Sequence, residues 1–364
     1  MKKILFASTA LVLSAGFAVA EVTVGGDGRM GILYTEGGGA VAGTGTTTQQ
    51  ATAQAAVDAL NTQLTTLQTQ LDQQIAANDA AGAQATLLQI ANVKDALTAA
   101  QEKFNVVAGT SGSGEFAFTS RIRISFTATG ETDNGLAFGG SIRADNATGG
   151  TTGTAGSVFV SSSFGKIAMG DVDGGAKAAV GQVSGVGLTG LGDANEVSYI
   201  STPVDPSVLY TYTFGAFNFY ASADQISDAN DAYGVGVKYD AGTFYAAIGY
   251  ETQDTTSAGQ AESTVALGAG TSFAGFDLKA VYLMRDVVGG ANNDQYAVSA
   301  GFDLFGIGAT AFYRDGDDLA DASYGFGGTK DLGGGASLKG GIVHNGGASD
   351  ADDIRADFGI TMSF

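Results

Sequence analysis

Four arginines are the side chains best placed to act on something outside the protein, and their action would be electrostatic. Arg29, Arg121, Arg123 and Arg143 each alternate with apolar neighbours, among them Met30, Ile122, Ile124 and Ile142. A period of two places each guanidinium on the face of a strand opposite its apolar side chains. The strands concerned are consecutive, so in a sheet the four charges form one patch, which Lys166, opposite Ile167 and Met169, extends. Facing lipid at mid-depth, each would cost roughly 2–4 kcal/mol. The alternation therefore predicts a water side, read as the positive wall of a pore, with a set of ordinary solvated charges that neighbour one another as the alternative. The carboxylates suited to oppose it are Asp171, Asp173, Asp193, Glu196 and Asp205, in and beside residues 172–206, a long connection rich in small residues. Folded into a lumen, that loop would narrow it and set up a transverse field. Small polar solutes align in such a field, whereas apolar ones must give up water beside charge.

Covalent chemistry has little to work with. His344 is the only histidine and shares parity with Leu338 and Ile342, which predicts an outward position near a rim. Cysteine is absent, and no nucleophile-elbow, Walker or zinc spacing occurs. No cofactor is required. Acidic residues gather at Asp224, Asp228 and Asp231, at Asp315, Asp317, Asp318 and Asp321, and at Asp350, Asp352 and Asp353. Close carboxylates invite Ca²⁺ or Mg²⁺, and the last two groups are the candidates, but none has EF-hand spacing and a solvated rim explains them equally well. The formal net charge is −20, and −22 without Lys2 and Lys3, which disfavours nucleic acid as a partner.

These residues need elements to hold them. Residues 1–20 read as a secretory signal: Lys2 and Lys3, an apolar stretch, then Ala18-Val19-Ala20 before Glu21. Beyond it no apolar run reaches about eighteen residues, so a membrane can be crossed only by strands. The closing segment shows the pattern. Ile354, Ala356, Phe358, Ile360, Met362 and Phe364 alternate with Arg355, Asp357, Gly359, Thr361 and Ser363. The chain has 57 glycines and 2 prolines, a composition that suits many strands joined by tight turns.

Sixteen such segments are expected, from 22–34 and 116–129 through 136–145, 155–162 and 165–171 to 305–314, 322–330, 336–345 and the last. Their connections alternate: tight at 163–164, 215, 240–241, 274–275 and 304, longer or more acidic at 146–154, 172–206, 225–231, 251–262 and 315–321. A meander wall with two unlike ends gives that alternation. The fold class is all-β, a sixteen-stranded antiparallel transmembrane barrel spanning 21–364. With both termini periplasmic, the long loops face outward. A soluble all-β protein with many hairpins is the alternative architecture.

Residues 43–109 interrupt the pattern. Val57, Leu60, Leu64, Leu67 and Leu71 fall at alternating spacings of three and four, a heptad-like seam. Residues 76–82 are a polar break, and Leu87, Ile90, Leu97 and Phe104 resume helical spacing in another register. Two amphipathic helices folded as a hairpin, or one long kinked helix, both fit. Either forms an insertion in the first external loop.

Several stretches resemble one family, the sixteen-stranded general porins of alphaproteobacterial outer membranes. They are Glu21-Val22-Thr23-Val24-Gly25-Gly26-Asp27-Gly28-Arg29-Met30-Gly31, Ser120-Arg121-Ile122-Arg123, Gly135-Leu136-Ala137-Phe138-Gly139-Gly140-Ser141, Phe164-Gly165-Lys166-Ile167-Ala168-Met169-Gly170-Asp171 and the Phe364 terminus. The resemblance covers 21–34 and most of 115–364. It implies a homotrimer set in outer-membrane lipid and lipopolysaccharide, one water-filled channel per subunit, an inward-folded third loop, basic wall residues at Arg29, Arg121, Arg123 and Arg143, and acidic constriction residues after Asp171. The helical insertion departs from the family pattern, and the third loop is short and poor in charge. The expected function is passive diffusion of small hydrophilic solutes and ions. The rival reading is a surface or adhesion protein whose barrel displays the insertion to a partner. An enzyme is not expected.

Overall fold

The computed structural model describes residues 21–36, 41–42, 47–77, 79–110, 114–147, 153–200, 207–224, 231–255, 258–347 and 353–364. The expected signal segment, Asp205, Asp228, Asp350 and Asp352 lie outside the described residues.

Alternation of apolar and polar side chains becomes strand in sixteen segments between residues 21 and 363. In chain order the barrel strands are β1 (Glu21–Thr35), β2 (Glu115–Glu131), β3 (Ala137–Ala147), β4 (Gly153–Ser162), β5 (Gly165–Gly170), β6 (Ser207–Phe214), β7 (Phe217–Ala223) and β8 (Ala232–Asp240). They continue as β9 (Phe244–Gln253), β10 (Ala261–Phe273), β11 (Phe276–Val287), β12 (Gln295–Leu304), β13 (Ile307–Gly316), β14 (Ser323–Gly333), β15 (Ala336–Asn345) and β16 (Asp353–Ser363). The sheet is a closed meander in which β16 joins β1 and β1 joins β2. Closure satisfies every strand edge, which an apolar surrounding demands.

The first and last strands pair antiparallel from Asp27 opposite Ser363 to Thr35 opposite Arg355. Phe364 continues the ladder, exchanging backbone hydrogen bonds with Gly26 at 2.8 and 3.0 Å. A Cβ on Gly26 would stand 2.6 Å from the Phe364 ring, so the glycine makes room for the terminal aromatic.

One face of each strand carries exposed apolar side chains, among them Met30, Ile122, Phe126, Val158, Val235, Ile248 and Phe358. The other face turns inward. There, part of the wall departs from simple alternation: Ala247, Ala266, Val281, Leu283 and Ala297 are inward yet apolar, and they are buried with Ala176, Ala179, Val180, Val183, Val197 and Tyr199 of residues 172–200. These strand segments are apolar on both faces because protein covers the inner one.

One strand start differs from expectation. Phe305 is not in β13 but in the β12–β13 turn, with φ of 55° followed by 77° at Gly306, and it is 95% exposed. Two left-handed residues make the tight turn that matches strand twist. Asp303 fixes the turn by accepting the Gly306 N–H at 2.9 Å.

Residues Glu36–Glu115 form a separate compact unit. It contains α1 (Thr47–Ala76), α2 (Ala80–Ala108) and a two-residue ladder of Val41–Ala42 with Gly109–Thr110. The segment is a hairpin of two helices rather than one kinked helix. Leu67, Ile90 and Val93 are buried together, with Leu60, Leu64 and Leu71 packed against them. The α1 seam is the expected one. On α2, Thr86 replaces Leu87 in the seam and donates its hydroxyl to Gln74 Oε1 at 2.7 Å, while Leu87 stays 53% exposed. The α2 seam continues through Ile90, Val93 and Leu97 at alternating steps, and Leu87 falls a full 100° off that line. No helix among the described residues is long and apolar enough to cross a membrane.

Candidate functional site

Parity on β1, β2 and β3 turns Arg29, Arg121, Arg123 and Arg143 inward. What the charges meet there was not expected. Arg123 lies directly opposite Asp145 in the β2–β3 register. Its Nε and Nη2 donate to the two oxygens of that carboxylate at 2.9 and 2.8 Å, a bidentate pair. Arg143, two residues before Asp145 on the same face, brings its Nε within 3.3 Å of Asp145 Oδ1. Arg121 Nη2 donates to Asp27 Oδ2 at 2.7 Å. Arg29 Nη1 donates to the backbone carbonyl of Leu188 at 3.2 Å.

Lys166 points inward but stands apart from the arginines. Its register neighbours are Ser161 on β4 and, beyond it, Ala137 on β3. Arg143 is six residues further along β3, about 20 Å at strand rise. The ammonium group instead sits 4.4 Å from the centre of the Phe159 ring. The four-arginine patch is thus not extended by Lys166.

Residues 172–200 run along the inward faces of β7 to β12 and, at their tip, reach β14, β15, β16 and β1. The first stretch forms α3 (Gly175–Val180). Gly175 N–H donates to Ser222 Oγ at 2.7 Å, and Ser184 N–H to Ser299 Oγ at 3.0 Å. At the far end Asp357 accepts the N–H groups of Leu188 and Thr189 and the Thr189 hydroxyl, at 2.7 to 2.8 Å. The return leg gives the Ser198 N–H to Gln295 Oε1 and the Ile200 N–H to Glu251 Oε2, both at 2.8 Å. Within the loop, Gln182 both donates to and accepts from Val197, and Asn195 donates to the Val183 carbonyl. The segment is therefore hydrogen-bonded along its length to fixed strands.

The wall beneath it is bare where the backbone comes closest. A Cβ on Gly236 or Gly249 would stand 2.5 Å from the Cβ of Ala179 or Ala176, and one on Gly341 2.7 Å from the Gly187 nitrogen. Glycine is needed there for close approach of two backbones.

Asp171, Asp173, Asp193 and Glu196 are exposed. Lys177 Nζ is 3.1 Å from Asp173 Oδ1, one helical turn away. Asp193 has φ of 53°, and its carbonyl accepts the Glu196 N–H at 2.8 Å. Partial desolvation by the loop pushes the Glu196 carboxyl above the usual carboxylate range; Asp193 and Asp173 push the same way, and Lys177 opposes them. Burial pushes the Tyr199 phenol up in the same manner, and its hydroxyl donates to the Gly181 carbonyl at 2.7 Å.

The acidic rim does not assemble as a metal site among the described residues. Asp315 accepts from the hydroxyls of Tyr296 and Tyr313 at 3.1 Å each. Asp317 accepts the Asp294 N–H at 2.9 Å, and Asp318 pairs with Arg314. Asp353 lies in the backbone of β16. His344 faces outward as expected and stacks on Tyr324, ring centres 4.8 Å apart.

Sequence reasoning passed over the residues that hold the loop: Asp357, Glu251, Gln295, Ser299 and Ser222. Their signal was present, since each is polar at inward parity. Asp27 and Asp145 were legible in the same way.

An antiparallel barrel that is apolar outside, charged inside and carries a loop secured against its inner wall defines a transmembrane β-barrel of the outer-membrane channel class. The chain belongs to the Gram-negative porin family, whose model matches residues 7–350. It is 33% identical over 287 residues to a porin of Rhodobacter capsulatus, covering 69% of this chain and 94% of that one. Among solved structures, a porin refined at 1.8 Å aligns with a TM-score of 0.62 and 24% identity over 94% of this chain and all of the other. A triple mutant of Rhodopseudomonas blastica porin aligns with a TM-score of 0.59 and 17% identity over the same shares. Both structural likenesses concern the fold.

Proposed function

We propose that the protein is a passive diffusion channel for small hydrophilic solutes and ions, with residues 172–206 as its constriction. The arginines of β1, β2 and β3 form one side of the passage and the exposed carboxylates Asp171, Asp173, Asp193 and Glu196 the other, with Asp205 assigned to the same loop. The observation that carries the reading is the anchoring of residues 184–200 to Ser299, Asp357, Gln295 and Glu251. A loop held that way occupies cross-section permanently and meets the arginine side at Arg29. Selection is by size and by the field between the two sides, and flux follows the gradient. The family reading extends to a homotrimer in outer-membrane lipid and lipopolysaccharide, with both chain termini periplasmic.

Single-channel recording in planar bilayers tests this, combined with neutral polymers of graded size. Ohmic steps with a sharp polymer cut-off are expected. A purified, folded barrel that inserts and passes no current would overturn the proposal.

A further inference from the structure

We infer that Asp27 and Asp145 are selectivity-determining residues: inside the barrel they cancel much of the positive wall, so the channel favours cations despite its four arginines. The inference rests on the constriction proposed above.

Asp145 serves two guanidinium groups at once. It meets Arg123 through both oxygens at 2.9 and 2.8 Å and Arg143 at 3.3 Å. Register explains this: Arg123 is its direct cross-strand partner, and Arg143 is its neighbour two residues earlier on the same face. Asp27 holds Arg121 at 2.7 Å from the next strand round. Asp357 adds a third carboxylate on this side, since it binds the N–H of the same Leu188 whose carbonyl takes Arg29. With Arg355, two residues before Asp357 on the same face, five guanidinium groups against three carboxylates leave a formal charge of +2. Across the passage, Asp171, Asp173, Asp193 and Glu196 against Lys177 leave −3. A permeating ion several ångströms from both sides responds to the sum, which is negative. The arginines would make the lumen anion-selective only if these carboxylates were elsewhere.

The pairs are only partly shielded. Asp27 is 35% exposed and Arg143 is 43% exposed, so both act through water on whatever passes. At about 10 Å in water a unit charge changes the local populations of cation and anion in opposite senses, and screening reduces the effect to about twofold in their ratio.

The test is the reversal potential of the full-length protein in a bilayer across a KCl gradient. Asp27→Asn and Asp145→Asn should each lower the K⁺ to Cl⁻ permeability ratio about twofold, and together about fourfold. Arg123→Gln combined with Asp145→Asn removes one charge of each sign and should return the ratio toward that of the unaltered channel. That double substitution separates charge from packing, and Asp27→Asn answers for any failure of Asp145→Asn to fold. A ratio unmoved by either aspartate substitution, while Glu196→Gln or Asp193→Asn lowers it, would overturn the inference and leave the constriction standing. A ratio unmoved by all four would overturn both.

Discussion

The carboxylate of Asp357, on the last strand of the barrel, accepts the backbone N–H of Leu188 at 2.8 Å, 169 residues earlier in the chain. It also takes the N–H and the hydroxyl of Thr189, so three donors converge on one side chain. Asp357→Ala leaves them without that acceptor, and each buried donor so stranded costs about 1–3 kcal/mol. The tip of residues 172–200 should then detach from β16. Expected are a larger open-state conductance and increased current noise, with barrel strand content by circular dichroism unchanged. Asp357→Asn keeps one acceptor oxygen and should fall between. Conductance and noise equal to those of the unaltered channel would show that the tip is held by other contacts.

How close the loop lies is set by glycine. Gly249→Ala would place a Cβ 2.5 Å from the Cβ of Ala176 and 2.6 Å from its Cα, and Gly236→Ala would meet Ala179 in the same way. Overpacking of this kind costs about 1–3 kcal/mol. If α3 yields, it moves toward the water side and the passage narrows. The polymer cut-off should drop to smaller sizes, and the thermal midpoint should fall. Gly242→Ala makes no close contact with any atom but carries a positive φ, so it should affect stability and leave the cut-off alone.

The barrel was legible in the sequence because its determinant is local. Alternation along each strand and the rhythm of short and long connections follow from a wall with lipid on one side. The α1 seam was legible for a similar reason, since Val57, Leu60, Leu64, Leu67 and Leu71 repeat with the helix period. The fate of the arginines was not, because pairing depends on register. Arg123 meets Asp145 only since β2 and β3 pair as they do, and a shift by one residue would turn one of them outward. Lys166 shows the same limit, being on the correct face but about 20 Å too low. Leu87 failed for another reason: hydrophobicity alone placed it in a seam whose geometry selects Thr86. Inward Val281 and Leu283 were a readable sign that something covers β11, since a solvated inner face would not carry them.

Glu196 gives the channel a pH response at an unusual place. Its carboxyl is pushed above the ordinary glutamate value of 4.5, chiefly by desolvation. The folded protein therefore binds this proton more readily than the unfolded chain. The stabilising contribution is complete below the unfolded value and is lost as pH rises through the folded one. For permeation the consequence is that the −1 charge disappears early on acidification. Cation preference should decline in a step that begins above pH 4.5, and Glu196→Gln should remove that step. A titration of the reversal potential locates it. A step confined to pH values below 4.5, or one that persists in Glu196→Gln, would assign the response to other carboxylates.

The helical insertion carries its own stabilising seam, with Leu67, Ile90 and Val93 buried between α1 and α2. Two helices of 30 and 29 residues with no acidic residue in the first turn and no basic residue in the last draw little on the helix dipole, so the seam carries much of their stability. Leu67→Ala or Ile90→Ala should cost about 2–5 kcal/mol, the range for a buried aliphatic truncation. The pair together should exceed what a two-helix hairpin can lose. Circular dichroism should then show the helical signal reduced while the strand signal remains, because the barrel strands take none of their hydrogen bonds from this seam. Leu87→Ala and Leu88→Ala, at positions 53% and 67% exposed, should leave the helical signal unchanged. Equal loss in both sets would mean that the hairpin is held by a surface other than the α1–α2 seam.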